Sequence, residues 1–158
     1  MATNGMKMLF VQGLQAMHAA DEQGRTTTAD IEKAASDPRL KEAFKEGNQV
    51  AQSLDQKLGQ VFQQAGEQPG GRKNHAIEGI AEDAQQVRKS EKEPRARDLG
   101  IIAHAQIALH YHIASYGTLA SYAQALGMKE AAQTLHDMLE EVKAQDGKYT
   151  QLATQFLA

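Results

Sequence analysis

The stretch IIAHAQIALHYHIASYGTLASYAQAL, residues 101–126, decides the fold. Alternating steps of three and four from Ile102 land on Ala105, Leu109, His112, Tyr116, Leu119, Ala123 and Leu126. That period puts one stripe of side chains along one face of an α-helix, the face a bundle buries. Alanine, glycine and polar residues in the seam separate it from a leucine-zipper coiled coil.

Working outward, Pro94 is suited to the first turn of this helix, where its missing N–H costs nothing. Gly127 suits the position just past its end. Beyond lies a second stripe: Ala131, Leu135, Met138, Val142, Gln145, Tyr149, Leu152, Phe156. Upstream, Asp37-Pro38 reads as an N-cap followed by proline, opening the stripe Leu40, Phe44, Gly47, Ala51, Leu54, Leu58, Val61. The first stripe is Phe10, Leu14, Met17, Asp21, Gly24, Thr28, Ile31, Ala35. These marks predict helices over roughly 5–35, 38–66, 75–91, 95–126 and 128–156. Gly24 and Thr26-Thr27-Thr28 are poor helix formers, so a kink is expected there. The short third helix, about 25 Å long at 1.5 Å per residue, follows the Pro69-Gly70-Gly71 turn cluster. It can carry the chain along the bundle, leaving the second and fourth helices parallel. The expectation is an all-α single domain spanning 1–158: four long helices and a short crossover.

Composition sets limits. The net charge is −3 over 158 residues, with no electrostatic footprint for nucleic acid. There is no cysteine, which removes disulfides, thiolate metal sites and a cysteine nucleophile and fits a cytoplasmic location. No run approaches 18 apolar residues, so no membrane partner is expected. The early Met8-Leu-Phe-Val-Gln run turns polar too soon for a signal peptide.

Asp21 and His112 are the ionisable residues that interrupt the middle of the inward stripes. Six histidines, His18, His75, His104, His110, His112 and His136, invite a metal reading, and His104 and His112 share a helix face. The glycines follow no phosphate-loop pattern. Arg88, Lys89, Lys92, Arg95 and Arg97, interleaved with glutamates, read as a solvated face. The four tyrosines read as packing residues with satisfied hydroxyls.

Three runs carry a resemblance: His112-Ile-Ala-Ser-Tyr-Gly-Thr-Leu119, Leu139-Glu-Glu-Val-Lys-Ala-Gln-Asp146 and Asp37-Pro38-Arg39-Leu40. With Ala76-Ile-Glu-Gly-Ile80 they make the chain resemble the YciE/YciF group along its length. The resemblance implies a ferritin-like four-helix bundle with a short additional crossover helix, usually a homodimer, linked to bacterial stress. It also implies inward glutamates and histidines that hold a dinuclear metal centre in metal-binding members. Position by position, this chain departs from that pattern. Asp21 keeps a carboxylate on the first helix. Gly47 and Val50 stand where the second has histidine and glutamate. Leu109 and His112 replace two glutamates on the fourth, and Val142 replaces one on the fifth, where Asp146 is retained. Unpaired buried carboxylates are costly unless a metal offsets them, and apolar residues suit a metal-free core. The expectation is a degenerate site with no cofactor. Asp21, His112 and Tyr116 would form a bundle-centre network, with Asp21, His112 and Asp146 the remnant of a metal site.

Three functions compete. The first is a non-catalytic structural or interaction protein of the stress response, a homodimer or a partner of a related ferritin-like protein. Phe62, Leu99, Ile101, Ile113 and Leu157 are its candidate outer face. The second is an iron or manganese redox or storage protein built on a reduced site around Asp21 and His112. The third is a carrier of small apolar ligands in a mid-bundle pocket lined by Gly47, Val50 and Leu109.

Overall fold

A computed structural model describes residues 4–158. They form five helices: α1 (Asn4–Ala34), α2 (Pro38–Ala65), α3 (His75–Ser90), α4 (Pro94–Ala125) and α5 (Lys129–Leu157), with no strand among the described residues. The ends follow local chemistry. Asp37 accepts the Arg39 N–H at 2.8 Å with Pro38 just inside α2. Asn74 accepts the Ile77 N–H at 3.2 Å to open α3, and Glu93 accepts the Arg95 N–H at 2.8 Å to open α4. Gly66 (φ 69°) and Gly127 (φ 77°) end α2 and α4 in the left-handed conformation that glycine adopts without strain.

Side-chain contacts give each helix its direction. On α1 and α4, Ser36 just past α1 meets Asp98, Asp21 meets His112, and Gly13 lies against Leu119, so the two run antiparallel. α2 and α5 are antiparallel through Arg39–Gln155, Lys148–Glu46 and Thr134–Gln64. α4 and α5 are antiparallel through Arg95 and the Phe156 carbonyl, Gln106–Thr150 and Gly117–Leu139. With α1 also beside α2, every neighbouring pair in the ring α1–α2–α5–α4 is antiparallel, and the diagonal pair α2 and α4 is parallel. This is the one-crossover topology of a ferritin-like bundle. The crossover helix α3 packs on α1 and α4. It is pegged at its start by buried Asn74, whose amide donates to the Ala16 carbonyl (2.7 Å) and the Tyr111 hydroxyl (2.8 Å). Gly100 admits Val87 of α3 so closely that a Cβ there would lie 2.5 Å from it.

The core divides in two. One packed layer holds Phe10, Leu14, Met17, Leu58, Val61, Leu119, Leu135 and Met138. The other holds Ile31, Leu40, Phe44, Ile101, Ile102, Tyr149, Leu152 and Phe156 at the opposite end.

Residues 24–28 stay helical, and the Thr27 and Thr28 hydroxyls bond back to the Gln23 and Gly24 carbonyls (3.1 and 2.7 Å), a pattern that satisfies them and tends to bend a helix. Other expectations fail. Phe62 and Ile101 are buried, each beside a stripe residue, because α2 and α4 are covered over a wider arc than one stripe. Of the supposed outer face Leu157 is exposed, while Leu99 and Ile113 are half-buried. The basic cluster is not simply solvated: Arg95 bonds the last turn of α5 and Arg97 donates to the Ser36 hydroxyl at 2.8 Å.

Candidate functional site at the bundle centre

Between the two packed layers all four long helices bring their middles together. Asp21 projects from α1 and His112 from α4. Asp21 Oδ1 stands 3.4 Å from His112 Nε2, and both side chains are largely shielded from water, at 8% and 16% exposure. His112 Nδ1 lies 2.8 Å from the Ala108 carbonyl one turn back. A carbonyl oxygen only accepts, so Nδ1 carries a proton and Nε2 is the nitrogen presented to the carboxylate. At 3.4 Å the Nε2–Oδ1 contact is an ion-pair distance without a formed hydrogen bond.

Tyr116 follows one turn on. It is fully buried, its ring centre 5.9 Å from that of His112. Burial, and after it the Asp21 carboxylate, hold its phenol well above the ordinary range. The hydroxyl is therefore neutral. It and Asp21 Oδ2 are both buried without a formed hydrogen bond, so the expected satisfied hydroxyl is not found here. Tyr149 fits that expectation better, with its hydroxyl 3.5 Å from the Ala43 carbonyl and its phenol raised by burial.

Asp146 is elsewhere. It sits on the outer α4–α5 seam, 3.2 Å from His110 Nε2, because its neighbour Gln145 takes the inward position. His18 lies edge-on to Phe62 in the upper layer. Two further carboxylates lie near the centre: Asp55, which the stripes did not single out, pairs with Arg25 at 2.9 Å across the α1–α2 seam, and Glu141, at the edge of the α5 stripe, pairs with Lys57 across the α2–α5 seam. Each is engaged by a cation of a neighbouring helix, and both still act on the buried Tyr116 phenol.

What remains in the middle is largely apolar. Gly47, Val50, Leu109 and Val142 stand in the wall of a cavity of about 170 Å³ that also touches Asp21 and His112 and is not sealed from solvent.

A dinuclear iron or manganese centre needs inward ligands from all four helices, and even single catalytic zinc sites use three protein ligands. Here the centre offers one carboxylate, Asp21, and two imidazoles, His104 and His112, both on α4. Among the described residues no three His, Cys, Asp or Glu side chains gather to hold a metal ion. The donor set does not fit a dinuclear centre.

Known proteins place this geometry. The family described as a domain of unknown function (DUF892) matches residues 5–158. The chain belongs to this family. Within DUF892 it is 36% identical over 146 residues to Protein YciF of Escherichia coli K12, covering 92% of this chain and 88% of that protein. The crystal structure of the E. coli stress protein YciF superimposes with a TM-score of 0.93 at 34% identity, covering 99% of this chain and 98% of the other. YcfI from Rhodopseudomonas palustris, described as a candidate structural protein, follows at a TM-score of 0.89 and 29% identity, with 92% of each chain covered. A Xanthomonas campestris protein shares the fold at a TM-score of 0.69 and 18% identity, with 96% of each chain covered. The DUF892 chain is thus a ferritin-like helical bundle akin to YciF. Among its described residues no helix is long and apolar enough to cross a membrane.

Proposed function

We propose that this chain is a non-catalytic structural or interaction protein of the stress response, a ferritin-like bundle whose dinuclear-metal site has degenerated. One observation carries the reading. Where ligands from four helices would have to converge, the structure has a lone Asp21–His112 pair facing Gly47, Val50, Leu109 and Val142. The stress connection draws support from the relative named as a stress protein, and the structural role from the one described as a candidate structural protein. A cytoplasmic homodimer, or a pair with a related ferritin-like protein, completes the proposal. Met8, Leu9, Ile107 and Leu157 are the large apolar side chains left exposed for such a contact. The pair at the centre would then act as a register device, a polar contact that only one alignment of α1 and α4 satisfies.

The rival reading keeps one observation in its favour. His112 has Nδ1 tied to a carbonyl and Nε2 turned to a carboxylate, as metal-ligating histidines do. A reduced iron or manganese site at Asp21 and His112 would use that geometry. Metal analysis of chain purified without chelator separates the two. The proposal predicts well under one metal per chain and no absorbance change when ferrous iron is added with oxygen or peroxide. Two equivalents of iron or manganese, or peroxide-dependent oxidation of the iron, would sink it.

A further inference from the structure

We infer that the central cavity is a binding site for a compact apolar molecule of single-ring size. The inference goes beyond the proposed function and rests on it in one respect: the centre must be free of a metal cluster.

Size comes first. The cavity measures about 170 Å³, close to the roughly 150 Å³ of an apolar cavity known to admit benzene. Its position is the second argument. It lies between two well-packed layers, not at a frayed end. It is also made by small residues on four different helices: Gly24 on α1, Gly47 and Ala51 on α2, Ala81 and Ala84 on α3, Ala105 and Ala108 on α4. A side chain the size of leucine at Ala51 or Ala108 would project into that space.

The wall's polarity is the third argument. Most of its polar groups already have protein partners; Asp21 Oδ2 and Gln145 Oε1 are the exceptions. His104 Nδ1 and His112 Nδ1 each lie 2.8 Å from a carbonyl of their own helix, Thr28 bonds back to Gly24, and Gln145 donates to the Ala43 carbonyl at 3.3 Å. A polar ligand would find few groups waiting, whereas an apolar one meets the carbon surface of Val50, Ala51, Leu109 and Val142. Because the cavity is not sealed, such a molecule reaches it without unfolding the bundle.

The experiment uses toluene on the full chain. At ten times its Kd a ligand confined to the folded state raises the melting temperature of a domain this size by about 3–6 °C. The inference predicts that rise in the unmodified chain and its loss in Ala108→Leu. No rise, or a rise that survives in both Ala108→Leu and Ala51→Leu, overturns it. If one variant fails to fold, the other carries the comparison. Methyl NMR of the unmodified chain reads binding independently of both: toluene must shift the Val50 and Leu109 methyl signals, and shifts confined to surface methyls overturn the inference. A chain that carries no metal and ignores toluene refutes this site and leaves the metal-free reading standing. A chain found with two metals refutes that reading whatever toluene does.

Discussion

The two ends of the bundle and its middle are built on the same four helices yet obey different rules. At the ends, large apolar side chains fill the interior and are closed to water: Phe10, Leu14, Leu135 and Met138 at one, Leu40, Phe44, Ile102 and Phe156 at the other. In the middle, the same stripes supply Gly24, Gly47, Ala51 and Ala105 around the Asp21 carboxylate and the His104 and His112 imidazoles. The helices keep their spacing there because both ends hold it. The bundle therefore retains a volume that its own middle side chains do not fill.

That contrast can be broken most forcefully in the packed layers. Leu135→Ala, at a fully buried position, is expected to cost about 3–5 kcal/mol in urea unfolding, whereas Leu109→Ala, beside existing space, is expected to cost under ~2 kcal/mol. Equal losses would mean that the middle is as well packed as the ends. Next in size is the central pair. His112→Leu alone leaves Asp21 buried without its partner and should cost about 3 kcal/mol, and adding Asp21→Val should recover most of that. Additive losses would show that the pair matters for something other than mutual compensation. Asp98→Ala should cost about 2 kcal/mol, since the buried carboxylate accepts the Ser36 and Asp37 N–H groups at 2.8–3.1 Å where α1 turns into α2. The smallest effect is of opposite sign: Ala108→Leu should stabilise the ligand-free chain by about 1 kcal/mol by filling space. A loss of stability there would mean that the cavity wall cannot accept the added methyl groups.

Alkali offers an independent check on the buried tyrosines. Tyr116 and Tyr149 have phenols raised in the folded chain, so folding is favoured below the unfolded phenol range, near 10, and weakened as pH rises through and beyond it. Tyrosinate absorbance from these two residues should appear together with loss of helix and not before it.

Most of the scaffold was legible in the residues. Asp37-Pro38, Pro94 and Gly127 mark helix ends through local chemistry that needs no tertiary information, and the boundaries fall within a residue or two of expectation. The crossover topology followed from one short helix between loops. Asp21 and His112 were legible because each interrupts an apolar stripe. The misreadings have a common cause. A stripe drawn one residue wide says nothing of how far round a helix is covered, so Phe62 and Ile101 looked exposed. Nor does it foretell long-range partners. The pairing of Asp55 with Arg25, the removal of Asp146 to His110, and the capping of one turn by Asp98 all join residues thirty or more positions apart. The cavity lay between these cases: the small residues could be read, but whether neighbours would close over them depends on the stiffness of the packed ends.

The central claim is that the bundle's middle holds an Asp21–His112 pair where a dinuclear centre would require ligands from four helices. Crystals grown in excess manganese, with anomalous diffraction collected for that metal, test it most directly. The account predicts direct contact between Asp21 and His112 at about the 3.4 Å seen here and no anomalous peak at the bundle centre. Two peaks there, about 3.5–4 Å apart as in two-metal sites, with Asp21 and His112 turned to them, would contradict it.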